Sequence, residues 1–280
     1  MSLVVSLGPE LERIEHFIAV GLQVVDALTL RPLLVPLRVR LLAIGPLKAD
    51  LDLQSKGGGR YSLVDAGAFA RLWNRTTEPG RLLPRSLDLL LSEASSDEAS
   101  APHRASPRRL SLALVETAAP RPRPAPNRAN APTVRLWPGA AYAFDGGATL
   151  IRGRVSRNSA GQPPARWARI VATRAGRVLG MAQADERGEY ALALRYPAGL
   201  LAPTSPSASD GDVRLDVFAR SAPPAHAKPF DDLSAEPAAI AAADADPVTN
   251  RPAAYDLQAN ASPTLVFGRT HSGPTFDFLL

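Results

Sequence analysis

Four histidines, His16, His103, His226 and His271, are the first side chains in this chain that could do chemistry. They lie far apart, and none has a partner at the short spacing by which a strand or helix offers two ligands to one metal. His103 and His226 sit among prolines, where solvent exposure accounts for them. His271, in Arg-Thr-His-Ser-Gly, has a serine beside it, but the Gly-x-Ser-x-Gly elbow that presents a hydrolase nucleophile occurs nowhere. Asp231-Asp232 and Asp244-Ala-Asp246 pair carboxylates without the further oxygens and closing Glu of a calcium loop, so they read as helix caps or loop charges. Gly57-Gly58-Gly59 lacks the Lys-Ser/Thr of a phosphate loop and precedes a strand, which makes it a hairpin turn. Trp73, Trp137 and Trp167 could stack on sugar rings, yet single tryptophans at strand edges more often fill a core. No catalytic, cofactor-binding or metal-ligating set emerges, and the expectation is a protein that is not an enzyme and uses no cofactor.

The elements that would position these residues are strands. The 280 residues include 27 prolines and 20 glycines, a balance that suits short strands joined by loops, and the length suits two domains. With no cysteine, disulfides and thiolate metal sites are excluded. The net charge of +5 comes from scattered arginines, denser from Arg104 to Arg128. Without interleaved aromatics or a basic helix this predicts a solvated surface and no nucleic-acid partner. The opening residues lack the basic start of a signal peptide, and no run of about 18 apolar residues is available to span a membrane. A cytoplasmic location is expected, with export as part of a released particle as the alternative.

The stretch from Thr149 to Leu194 sets the pattern. Ile151, Gly153 and Val155 share one strand face, opposite Leu150, Arg152 and Arg154. Turn formers fill Asn158 to Pro164. Apolar residues resume through Ile170 and Ala172 and from Val178 to Met181, Asp185-Glu-Arg-Gly188 turns the chain, and Tyr190, Leu192 and Leu194 alternate. The order is strand, loop, strand, strand, turn, strand. Through Val155, Gly161, Pro163, Ile170, Asp185, Gly188 and Tyr190 this resembles the carboxypeptidase regulatory-like, or transthyretin-like, β-sandwich family. That resemblance implies a mostly non-catalytic spacer or binding module.

An earlier stretch repeats the plan. Pro32 answers Pro163 at an offset of 131 (163 less 32), and Gly59 answers Gly188 at 129 (188 less 59), with Tyr61 and Tyr190 each two residues after the glycine. This reads as an internal duplication. Lys56 stands where Asp185 stands, so the first turn must close by other means. Around it, Val20, Leu22 and Val24 share a face, and Leu37, Val39 and Leu41 alternate with Arg38 and Arg40 as a half-buried strand. Residues 9–19 are either a turn of helix or an extended lead-in. Leu110, Leu112 and Leu114 close the first domain.

The expected architecture is all-β: two tandem antiparallel β-sandwich domains of transthyretin or immunoglobulin type, with one or two short helices. The first spans 1–118, a proline-rich linker follows at 119–133, and the second spans 134–280. Val213, Leu215 and Val217 make a further strand, Ser234 to Ala243 is a short alanine-rich helix behind an N-cap serine, and Leu265–Phe267 and Phe276–Leu280 are closing strands. From Leu136-Trp-Pro-Gly through Tyr142 to Gly153 the chain is also similar to accessory proteins of bacterial phage-tail-like contractile injection clusters. The expected partners are therefore other proteins of a larger assembly, with a carbohydrate or cell-surface ligand as the second choice.

Overall fold

The computed structural model describes residues 2–5, 14–17, 20–33, 35–63, 85–94, 104–114, 133–144, 148–195, 210–222, 230–237 and 251–280. The fold is all-β, with several mostly antiparallel sheets. Two compact units divide the chain. Unit 1 is Met1–Leu91, Arg108–Arg135 and Ala235–Ala243; unit 2 is Ser92–Pro107, Leu136–Ser234 and Asp244–Leu280. The linear expectation places one boundary in the linker at 119–133, most of which lies outside the described residues. The strand pairing adds exchanges that a linear reading does not contain.

Unit 1 holds β1 (Ser2–Val5) and β2 (Ile14–Phe17), paired antiparallel. The described part of residues 9–19 is thus strand, not helix. The remaining strands are β3 (Val20–Asp26), β4 (Leu37–Ile44), β5 (Leu47–Ser55), β6 (Arg60–Leu63), β7 (Arg85–Glu93), β8 (Arg108–Leu114), β9 (Thr133–Leu136) and β16 (Ala235–Pro237). They form one eight-stranded sheet in the order β16-β8-β7-β4-β5-β6-β3-β9. Its sidedness follows the sequence alternation: Leu37, Val39 and Leu41 are buried while Arg38 and Arg40 are not.

Residues 235–237 correct the start of the helix expected over 234–243; residues 238–243 lie outside the described residues. Alanine favours helix locally, but the described portion, Ala235–Pro237, is a strand lying parallel to Arg109–Ser111. A buried Glu236–Arg108 pair fixes it there, a long-range gain that local propensity does not contain.

Unit 2 holds β10 (Thr149–Ser156), β11 (Arg169–Arg174), β12 (Arg177–Gln183), β13 (Glu189–Leu194), β14 (Asp210–Asp212), β15 (Arg214–Ala219), β17 (Asp256–Ala261), β18 (Thr264–Val266), β19 (Thr270–His271) and β20 (Phe278–Leu279). One sheet runs β13-β10-β19, with β20 also on β10; a second runs β12-β11-β15-β17, and β14 pairs with β18. Ile151, Val155, Tyr190 and Leu192 of the first sheet and Ile170, Ala172, Leu215 and Val217 of the second belong to one buried cluster, so the two sheets pack face to face. The second sheet is buried on its other face as well, where its own Val171, Met181 and Phe218 cluster with Tyr255 and Trp137 packs against them. The one described helix is a 3-10 turn at Pro274–Phe276.

The same local geometry occurs in both units. Val24 N–H donates to Gly59 O at 2.7 Å, and Val155 N–H donates to Gly188 O at 2.8 Å. Each glycine has a left-handed φ (+72° and +76°), and a Cβ on either would sit 2.3 Å from the facing valine carbonyl oxygen. Pro32 bridges Val25, and Pro164 bridges Ser156. The structural counterpart of Pro32 is therefore Pro164; the second loop is one residue longer than the match to Pro163 implies. The two turns close by different means. Asp185 Oδ1 accepts the N–H groups of Arg187 (2.8 Å) and Glu189 (2.9 Å). The Lys56 side chain offers no acceptor; Gly57 and Gly58 join Gly59 at positive φ to make the bend, Ser55 Oγ accepts the Gly57 N–H at 3.4 Å, and Lys56 N–H donates to Arg60 O at 2.8 Å.

Candidate functional site

The charged side chains that the fold brings together lie at one end of unit 2. The β10–β11 loop, the β12–β13 turn and residues 230–234 meet there. Val155 bonds Gly188, Ala165 N–H donates to Val155 O at 2.9 Å, and Ala184 N–H donates to Ala168 O at 2.7 Å. Trp167 is the centre. It is 1% exposed and holds φ at +61°, a conformation a bulky residue adopts only when its surroundings over-determine it. Its indole N–H donates to Asp232 Oδ1 at 2.7 Å, its carbonyl accepts the Tyr255 hydroxyl at 3.0 Å, and its ring lies 5.7 Å from that of Phe230. The Arg166 guanidinium stands 5.7 Å over the indole, and its Nε is 3.3 Å from Asp232 Oδ2. Asp232 is thus held from both oxygens, and the expectation of a loop charge or helix cap gives way to a buried strut. Asp231 beside it is exposed.

Glu186 sits against this group. It is 9% exposed, and its Oε1 is buried without a hydrogen-bond partner among the described residues. Burial pushes its carboxyl up to about 7. The nearby Arg166 opposes that rise, the negative charges of Asp185 and Asp232 add to it, and Arg187 opposes it. Arg187 reaches Asp185 Oδ2 at 3.2 Å and Glu189 Oε2 at 2.8 Å, with its own side chain partly in solvent. Arg157 donates to the carbonyls of Arg220 (2.9 Å) and Ser221 (3.3 Å), and burial lowers its guanidinium pKa. A carboxyl that exchanges its proton near neutrality is the one group here suited to acid–base work. Its neighbours Asp185 and Asp232 are committed to the turn and to Trp167, so the cluster as a whole can take up or release a proton and otherwise holds the loops in place.

The residues singled out in the sequence are dispersed. Trp167 is core, Trp137 is partly buried against Val171, Met181, Phe218 and Tyr255, and Trp73 lies outside the described residues. His271 is on β19, with Nε2 2.9 Å from Val266 O and its ring 6.0 Å from Phe276. His16 is on β2; His103, His226, Asp244 and Asp246 lie outside the described residues. Among the described residues, no group of three His, Asp or Glu stands where it could hold a metal, and no helix is long and apolar enough to cross a membrane. Sequence reasoning missed Glu186 and Arg166. The available signal was a charged triplet, Asp185-Glu-Arg187, directly behind a buried strand end.

No family model matches the chain, and no curated protein matches it. Among solved structures, the Bacillus anthracis TIE protein aligns with 96% of this chain at 8% identity and a TM-score of 0.25. The chain spans 34% of that protein's length, and at this TM-score the likeness carries no argument.

Proposed function

We propose that the protein is a non-enzymatic structural component that docks onto other proteins through its sheets. The observation that carries this reading is strand β17. Among the described residues it is an outer strand of its sheet, Asp256, Leu257 and Asn260 on it are exposed, and Leu257 is 46% exposed. An outer strand offers a row of backbone donors and acceptors to an added strand, and Asp256 is the one charge on it that would discourage addition. Unit 2 is read here as a carboxypeptidase regulatory-like module, on the residue pattern from Val155 to Tyr190. A bacterial phage-tail-like contractile assembly is the specific setting proposed. A sugar-binding reading would need an open indole face; Trp167 has none to offer, Trp137 is partly buried, and Trp73 lies outside the described residues.

The test is affinity purification of the tagged protein from its source cells with mass spectrometry, comparing wild type with Leu257→Asp. Defined proteins recovered in fixed ratio with wild type and lost with Leu257→Asp support the reading. Recovery of the same proteins by both, or of none by either, opposes it.

A further inference from the structure

The three-loop junction at the end of unit 2 does not balance its charges. Three carboxyls, Asp185, Glu186 and Asp232, face two guanidinium groups, Arg166 and Arg187. Asp185 is satisfied by Arg187 at 3.2 Å and by the N–H groups of Arg187 and Glu189. Asp232 is satisfied by the Trp167 indole at 2.7 Å and by Arg166 at 3.3 Å. No donor is left over for Glu186, whose Oε1 is buried without a hydrogen-bond partner among the described residues. A buried carboxylate in that position is costly, so the junction as it stands suits Glu186 in its neutral form.

Residues 230–234 depend on these contacts. They are held by Asp232, by Arg220 on Ser234 Oγ (2.9 and 2.7 Å) and by the Phe230 ring 5.7 Å from that of Trp167. Both rings sit on left-handed residues, Trp167 at φ +61° and Phe230 at φ +68°, a strain that only the surroundings maintain. At 3.3 Å the Arg166 contact is longer than a good charge-assisted hydrogen bond, so of the two donors on Asp232 it is the more readily withdrawn.

We propose that residues 230–234 are a proton-operated clasp. With Glu186 neutral they are held on the β10–β11 loop; when Glu186 ionises it draws Arg166 away from Asp232 and releases them. The proton leaves to solvent beside Arg187, whose side chain is partly exposed. Arg187 is already shared between Asp185 and Glu189 (2.8 Å), which leaves Arg166 to answer the new anion. The other charged and titratable groups around the junction are committed or solvated. Arg157 is on the carbonyls of Arg220 and Ser221, Arg220 is on Ser234, the Tyr255 hydroxyl is on the Trp167 carbonyl, and Asp231 is exposed. Trp167 keeps its bond from Tyr255 when Asp232 leaves, so the β10–β11 loop stays in place while the clasp lifts. The device needs no partner and does not depend on the docking reading.

NMR of the full chain between about pH 6 and about pH 8 tests it. A carboxyl that titrates at about 7 passes from about one-tenth to about nine-tenths ionised over that range, so the released form should rise about ninefold. Two signals report it: the Trp167 indole N–H, which loses its acceptor, and the heteronuclear NOE of the amides of residues 231–233, which falls as they become mobile. Both changes in wild type, with neither in Glu186→Gln, is the expected result. An indole that shifts while the NOE stays constant, no change in wild type, or the same change in Glu186→Gln overturns the proposal. Should the variant fail to fold, wild type alone decides. The Glu186 carboxyl carbon is titrated beside the NOE; coincident midpoints support the clasp, and separate midpoints overturn it.

Discussion

Replacing Glu186 with Gln should remove a pH dependence from the stability of unit 2. Its carboxyl is raised from about 4.5 to about 7 in the folded protein, chiefly by burial. The folded state therefore binds this proton more tightly than the unfolded chain does. The sign follows: stability is greatest below about pH 4.5, where both states are protonated, and declines as pH rises through about 7, above which the penalty for a buried anion is complete. A shift of 2.5 units (about 7 less 4.5) corresponds to at most about 3.4 kcal/mol, at 1.36 kcal/mol per unit. The nearby Arg166 charge and the relaxation of a buried site around an anion reduce this, leaving about 1–2 kcal/mol. Gln keeps the shape of the side chain and cannot ionise. Urea unfolding of wild type and Glu186→Gln at about pH 5 and about pH 8 reads the effect as a difference of differences, in which groups common to both proteins cancel. The variant should match or fall below wild type at the lower pH and exceed it by about 1–2 kcal/mol, relative to that baseline, at the higher. Parallel stability profiles for the two proteins would refute the assignment of this carboxyl as a buried acid.

Trp167→Phe keeps an aromatic ring but shrinks a fully buried indole and deletes the N–H that donates to Asp232 Oδ1, leaving a buried carboxylate oxygen short of a partner beside a small void. A loss of about 1–3 kcal/mol in urea unfolding is expected, and a loss below about 0.5 would show that Arg166 alone suffices for Asp232. Gly188→Ala and Gly59→Ala should each cost more than about 2 kcal/mol, because the new Cβ would meet a backbone oxygen at 2.3 Å in a left-handed residue. Gly161→Ala, equally left-handed at φ +80° but with open space around it, should cost about 1 kcal/mol; thermal melts that rank the three equally would contradict the close-approach argument.

The strand plan was readable where a residue's role depends on its near neighbours. The alternation of Leu37, Val39 and Leu41 with arginines predicts a one-sided strand from the pleat alone, and the glycine two residues before Tyr61 and Tyr190 marks a turn that only a left-handed residue completes. The substitution of Lys56 for Asp185 correctly announced a different closure, which Gly57 and Gly58 provide. What could not be read depends on distant partners. Ala235–Pro237, at the start of an alanine-rich stretch, looks helical until Arg108 claims Glu236 from 128 residues away. Glu186 looks like an ordinary turn charge until Arg166 and Asp232 arrive from two other loops. Asp232 looks solvated until the Trp167 indole donates to it. Pro163 and Pro164 are adjacent and chemically identical, and only the bridge to Ser156 tells which of them answers Pro32.

The most direct test of the docking account is backbone hydrogen exchange, measured on the protein alone and on the complex recovered from its source cells. The account predicts that the amides of Asp256–Ala261 exchange markedly more slowly in the complex, as an added strand would require. Recovery of a complex in which those amides exchange as fast as in the free protein would contradict it.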